Sequence, residues 1–527
     1  MILYNAVVHT INQNNEIAEA VLLEGNRITF VGSNQEVLAL AKKNTQKIDC
    51  KGKALLPGFI DSHVHLSMGD MIWSGVDLSR EAGVHTISDI LEKMKKYAKK
   101  YPEKKLLVGN QLNPMALKEN RYPTRFELDA VFPDVAVYLG FSNGHNAVIN
   151  TKLMEEVNYF VNPEKFPDED VILNQEGNPD GCFKENGLHP IREYVMPKRT
   201  KAESLELVKK AVSYLHTVGI TSVHDAGGIC SPMFLEEISE ELDMRIYPMQ
   251  IGITDWDVSK SVENFRKVGT RKFHYGPLKL FVDGSAAAGT CATREPLSDT
   301  EAVHPLTTQI FCLEKAMLEA DEGQCQFTGH AVGDRAIETM LKGYELVARA
   351  DGDEKPNARN RIEHCFLCPD DLLDWIAKLG VIPTFNPAFL PIWGEAYRVH
   401  YGERCNRIIP IQAALDRKIM CTIASDWPCI QNASPLKGIA SAMNRKINEW
   451  DRLGVAQGIS LEDALRCITF NGAYAEYKER DKGSLEVGKW ADLVLLDSKF
   501  EDKTPEEIGD MQVDMTIFDG KIVYQRK

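Results

Sequence analysis

The run Leu-Pro-Gly-Phe-Ile-Asp-Ser-His-Val-His (LPGFIDSHVH, residues 56–65) begins apolar and ends on two histidines two positions apart. Residues i and i+2 of a strand face the same way, so His63 and His65 can reach one cation. Seven short apolar runs follow: ITSVHDA (220–226), RIYPMQIG (245–252), PLKLFVDG (277–284), CQFTGHA (325–331), RIEHC (361–365), VIPTFN (381–386) and MCTIASD (420–426). Stretches with a helical charge pattern lie between them, such as SLELVKKAVSYLHTVG, which Gly219 closes as a helix C-cap should. Apolar runs alternating with amphipathic ones predict βα units around a parallel sheet, and eight of them predict a (β/α)8 TIM barrel.

Such a barrel carries its active site at the C-terminal ends of the strands, where residues distant in sequence converge. Five of the eight runs bear a potential metal ligand near that end: His63 and His65, Lys279, His330, His364 and Asp426. His330 and His364 each close an apolar run and precede a helix, and each alone is also compatible with a satisfied core histidine. Asp426 ends a buried run, where an unpaired carboxylate is costly, so it needs a cation or a proton. Lys279 lies between Leu278 and Leu280, a poor setting for a lone ammonium. Either it pairs with Asp283, or carbon dioxide carbamylates it into an anionic metal ligand.

Both ends of the chain read as β structure. AVVHTI, EAVLLE and RITFVG fall before residue 58, and ADLVLLD and MTIF-DG-KIVY fall near the other end, with Asp519-Gly520 a strong hairpin signal. Two small β segments need a partner to bury their faces, so residues 1–58 and 475–527 are expected to form one β-sandwich domain around a barrel of residues 59–474. The interval at about 75–200 is too long for one crossover. It is expected to be an insertion after barrel strand one, with strands near LLVGN and VAVYLGF.

Composition narrows the partners. With 61 Lys plus Arg against 76 Asp plus Glu, the net charge is −15, which argues against nucleic acid. The lysine-rich run at 95–105 reads as a solvated helix end. No apolar stretch approaches the length of a membrane span, and the start lacks a signal-peptide pattern, so a cytoplasmic protein is expected. Twelve scattered cysteines suit buried, reduced thiols. The Cys365–Cys368 pair has no second CxxC to complete a zinc site and is expected to pack. No Walker loop, HExxH, GxSxG elbow or dinucleotide fingerprint is present.

The set PGFIDSHVHL, KLFVDGS, GHAVGD, RIEHC and ASDWP, with GHNAVIN in the insertion and GSLEVGKWADLVLLD near the end, resembles the metal-dependent amidohydrolase superfamily, and within it amidohydrolase family 3, which includes N-substituted formamide deformylases. The resemblance implies a mono- or dinuclear site, usually zinc. His63 and His65 would bind the more buried metal, a carbamylated Lys279 would bridge, His330 and His364 would bind the second ion, and Asp426 would be ligand and general base. His145 of GHNAVIN matches a position near the substrate.

The residues also suffice for a mechanism without the family. A zinc-class cation lowers the pKa of water toward neutrality and polarises a carbonyl, Asp426 accepts the proton, and His145 or His224 can donate to the oxyanion. The expected reaction is hydrolysis of a C–N amide-type bond of an N-acyl or N-formyl amine. Deamination of a ring amidine, a ligand-binding barrel without turnover, and phosphodiester or lactone hydrolysis remain alternatives. The partner is expected to be a small molecule, and a homo-oligomer is compatible with the sequence. Trp73, Phe385, Phe389, Trp393 and Tyr397 are candidates for an aromatic wall, with core and loop packing the default reading, and Arg294 and Glu295 for a charged substrate contact or a surface ion pair.

Overall fold

The computed structural model describes residues 1–69, 73–196, 198–251, 258–350 and 359–527. Gly252, the last residue of the third apolar run, lies outside them. The eight runs are the strands of two parallel sheets. One has the order Arg245–Pro248, Ile220–Asp225, Phe59–Val64, and the other the order Gln250–Ile251, Leu278–Phe281, Phe327–Ala331, Arg361–His364, Ile382–Phe385, Thr422–Ile423. Almost every residue in these strands is buried, as expected when helices cover one face and side chains fill the other. This is a TIM-barrel-type fold.

The two sheets meet at two seams. The third run divides at Pro248, whose nitrogen carries no hydrogen for a ladder. Met249 N still donates to Asp225 O (2.8 Å), while Gln250 pairs with Leu278, so the chain passes from one neighbour to the other. At the second seam Asp426 N donates to His63 O (2.9 Å) and His65 N to Trp427 O (2.7 Å). Asp61 reinforces this join by accepting from Ser425 N (3.0 Å) and from the Ser425 hydroxyl.

Strands from both ends of the chain build two more sheets. The four-stranded one has the order Arg27–Gly32, Ala20–Glu24, Ile2–Tyr4, Lys47–Asp49. The six-stranded one has the order Lys521–Gln525, Val513–Phe518, Leu493–Leu496, Ala54–Pro57, Val7–His9, Ile17–Ala18. Leu3, Val21 and Ile28 of the first share a core with Val8, Leu55, Leu493 and Ile517 of the second. Asp519 and Gly520 have φ of 51° and 78°, the left-handed pair that a two-residue hairpin needs. Ala54–Pro57 pairs with Leu493–Leu496 and then runs directly into barrel strand one. Arg245 of strand three forks onto Asp492, with Nη2 to Oδ1 at 2.8 Å, and lies over the Trp490 ring, tying barrel to sheet.

Between barrel strands one and two stands a six-stranded sheet in the order Val171–Leu173, Pro179–Lys184, Asn146–Ile149, Ala136–Phe141, Leu106–Leu112, Val76–Asp77. The two strands expected there, Leu106–Leu112 and Ala136–Phe141, are neighbours within it. Leu107, Leu139 and Val148 pack on Ile90 and Met94, while Tyr138 and Ile149 pack on Leu153 and Ile191. The helix Ile87–Lys100 ends in the exposed lysines, and the helix Lys201–Thr217 is followed by Gly219 at φ 83°. No described helix is long and apolar enough to cross a membrane.

Candidate metal centre

The strand ends bring five of the six expected ligands into direct mutual proximity, and the fifth strand's His330 joins them through His364. His63 Nε2 lies 3.5 Å and His65 Nε2 3.2 Å from Asp426 Oδ1. Lys279 Nζ is 3.4 Å from His63 Nε2. The His364 ring sits 4.7 Å from that of His63 and 4.5 Å from that of His330, between centroids. Two of the residues leave their strands through backbone that side chains rarely adopt, with φ of 71° at His364 and 61° at Asp426. Such conformations cost about 1–3 kcal/mol each and persist where the surroundings impose them.

Each histidine has one nitrogen occupied from behind. His63 Nδ1 meets Glu363 Oε2 at 2.6 Å, His65 Nδ1 meets Gly227 O at 2.6 Å, His330 Nε2 meets Gly284 O at 3.0 Å, and His364 Nδ1 meets Asn386 Oδ1 at 2.9 Å. Carbonyl and carboxylate oxygens only accept, so these nitrogens carry the hydrogens and the opposite nitrogens carry lone pairs. His63 Nε2, His65 Nε2 and Asp426 Oδ1 therefore face one another as three acceptors, and Asp426 Oδ1 is buried without a hydrogen-bond partner. Such an arrangement fits a divalent cation and is unfavourable without one.

The electrostatics agree with neutral imidazoles. Burial, then the charge of Lys279, keeps His63 well below the ordinary histidine range. Burial and the neighbouring His364 and His145 do the same to His330. Burial lowers the Lys279 ammonium below its usual value.

Two expectations are corrected by the geometry. Lys279 does not pair with Asp283, and no carboxylate of the described residues lies within salt-bridge distance of its amine. Asp283 instead accepts from the backbone N–H groups of Ala292 (3.0 Å), Val332 (3.0 Å) and Gly333 (2.8 Å), because the chain turns around it after strands four and five. Asp283→Ala should thus leave three buried donors unpaired and lower unfolding stability by about 3 kcal/mol or more, read by denaturant titration, with Asp283→Asn losing less. His224 does not face the substrate side: Arg361 Nη1 occupies its Nδ1 at 2.7 Å, and its Nε2 lies 3.5 Å from Glu476 Oε1. Strand alternation turns it into the barrel interior. Of the aromatic candidates, Phe385, Trp393 and Tyr397 lie in the buried core, and Trp73 and Phe389 pack against it.

His145 comes from the insertion, with its ring centroid 5.8 Å from that of His330, and its Nδ1 meets Glu185 Oε2 at 2.9 Å. Burial opposes its charge, but Glu185 prevails and raises the imidazole above its ordinary value. Phe389 stacks beside His364 and meets Trp393 edge-on at 4.6 Å, and Trp393 Nε1 donates to Ser142 Oγ of the insertion (3.2 Å). Trp73 packs on Tyr214 and Trp427. Arg294 forms surface ion pairs with Glu338 and Asp371. Cys365 and Cys368 are free and buried.

Sequence reasoning missed Glu363, Asn386 and Glu185, which orient the histidines. Glu363 had a signal: it and Arg361 are charged residues in a run with no exposed face.

Comparison with known proteins agrees with this geometry. The model of the family described as "Amidohydrolase family" matches residues 46–524. An N-substituted formamide deformylase of Arthrobacter pascens is 27% identical, over 100% of this chain and 98% of its own. The putative amidohydrolase YtcJ of Bacillus subtilis is 24% identical, over 99% of each chain. A crystal structure of an uncharacterized metal-dependent hydrolase from Pyrococcus furiosus superposes with a TM-score of 0.71 at 25% identity, covering 96% of this chain and 99% of that one. Atrazine chlorohydrolase TrzN from Arthrobacter aurescens, complexed with zinc, shares the fold with a TM-score of 0.56 at 13% identity, over 99% and 95%. Over nearly its whole length, then, this chain belongs to the amidohydrolase family, as a metal-dependent hydrolase acting on C–N bonds.

Proposed function

We propose that the protein hydrolyses the amide bond of an N-acyl or N-formyl amine. His63, His65, Lys279, His330, His364 and Asp426 would hold one or two divalent cations of the zinc class. The observation that carries this reading is the set of three lone pairs, on His63 Nε2, His65 Nε2 and Asp426 Oδ1, turned toward one point by partners behind each ring. The same reading takes residues 1–58 with 475–527 as a β-sandwich and residues 59–474 as a closed barrel with the 75–200 insertion at its mouth. The shared terminal core and the hydrogen bonds at the second seam support it. Lys279, with Nζ beside His63 Nε2 and no acidic partner in reach among the described residues, is in place to be carbamylated.

When bound, the cation supplies Lewis acidity to water and to the scissile carbonyl. Asp426 Oδ1 takes the proton of the attacking water and returns it to the leaving nitrogen. His145, its Nδ1–H held by Glu185, presents a protonated Nε2 to the oxyanion that forms at the carbonyl. Phe389, stacked beside His364 with Trp393 packed on it, gives the amine substituent an apolar wall.

A panel of N-formyl and N-acyl amines, assayed for released carboxylic acid, tests the reading. Ammonia released from ring amidines with no carboxylic acid would replace it by deamination. Phe389→Ala should lower kcat/KM for amines with bulky apolar substituents by about 10- to 100-fold, the worth of one buried aromatic contact, and leave small substituents nearly unaffected. Equal losses across the panel would remove the wall from the specificity determinants.

A further inference from the structure

A line of buried charge runs from the metal centre to the opposite end of the barrel. Glu363, whose Oε2 meets His63 Nδ1, also receives Thr328 Oγ1 on Oε1 (2.7 Å) and Arg361 Nη2 on Oε2 (3.1 Å). The same Nη2 faces Ser62 O (2.7 Å) and Thr384 Oγ1 (3.2 Å), and Nη1 points at His224 Nδ1. Beyond His224 stands Glu476, paired with Lys482 and 3.4 Å from His274 Nε2. Arg361, Glu363 and His224 are completely buried.

The direction of these bonds is determined by chemistry. A guanidinium only donates, so His224 Nδ1 must be the acceptor and its hydrogen sits on Nε2, on the Glu476 side. Arg361 thus has an acceptor for each arm of its fork: His224 for Nη1, and Glu363 with Ser62 O for Nη2. Removing the His224 acceptor orphans one arm in a closed interior. The guanidinium then turns toward whatever acceptor it can reach, and Glu363 moves with it.

We infer that His224 is a positioning residue: through Arg361 it sets Glu363, which keeps the hydrogen of His63 on Nδ1 and the Nε2 lone pair toward the cation. The inference rests on the reading of His63 as a metal ligand. It makes His224 important to metal affinity even though two residues separate it from the metal ligand His63. The role is specific to an acceptor at the Nδ1 position, which an asparagine Oδ1 reproduces and a leucine does not.

The test is zinc affinity of the full-length protein, measured by competition with a chromophoric chelator. His224→Leu should weaken zinc binding by about 10-fold or more, His224→Asn should stay within about threefold of wild type, and Glu363→Gln should weaken it by about 10- to 100-fold, the range found when partners behind metal-bound histidines are removed. Wild-type affinity in His224→Leu, equal losses in the Leu and Asn variants, or wild-type affinity in Glu363→Gln would each overturn the inference. If His224→Leu does not fold, Glu363→Gln and His224→Asn decide it, because the inference needs the first to lose zinc and the second to keep it. Absence of zinc uptake by the wild-type protein would instead refute the metal reading of His63.

Discussion

Asp426→Asn should lower kcat by two to four orders of magnitude at saturating cation, about the contribution of a positioned general base. The side chain keeps its size and one oxygen, so it can still lie against His63 and His65, but the amide cannot accept the proton of the attacking water. Asp426 is placed for that step, with Oδ1 free of hydrogen bonds and its backbone N–H anchored on His63 O at 2.9 Å. The left-handed backbone at this position, φ 61°, aims the carboxylate across the strand ends, and asparagine tolerates that conformation well. The loss should therefore be one of chemistry and not of folding, and kcat under conditions where metal content equals wild type measures it. A variant within tenfold of wild type would transfer the base role elsewhere.

Removing the cation with a chelator should abolish turnover and also loosen the protein. Without a cation, the lone pairs of His63 Nε2 and His65 Nε2 oppose Asp426 Oδ1 at 3.5 and 3.2 Å. A ligand that binds only the native state stabilises it by about 4 kcal/mol at a thousandfold excess over its Kd. The thermal midpoint of the chelated protein should consequently rise on adding zinc or manganese, and activity should return with the same stoichiometry. Full activity after exhaustive chelation, with no metal found by elemental analysis, would sink the proposed mechanism.

The strands and their order were legible because eight apolar runs alternate with helical charge patterns and the residues at their ends are unusual for buried positions. His63, His65, Lys279, His330, His364 and Asp426 stood out for that reason. Less legible were relations that depend on which way a side chain turns inside a fully buried strand. His224 carries the same chemistry as His63, but strand alternation turns it into the interior, onto Arg361. Asp283 looked like a partner for Lys279 at four residues' distance, but residues 278–281 are extended and not helical, so the two separate and Asp283 binds loop amides instead. Glu185 lay hidden in ordinary loop composition, and Asn386 closes the apolar run VIPTFN with a neutral amide that signals no partner.

The strand Ala54–Pro57 enters the barrel as the segment that becomes Phe59–Val64, and its partner Leu493–Leu496 is made almost a chain length later. On a ribosome, the lead-in to His63 and His65 can pair at once with Val7–His9, but its other edge stays open until the final strands emerge. Most of the chain can condense earlier, but the two histidines reach their final setting only near the end of synthesis. Metal loading is then a step for the finished polypeptide, and chains broken off short of Leu493 should accumulate as apoprotein.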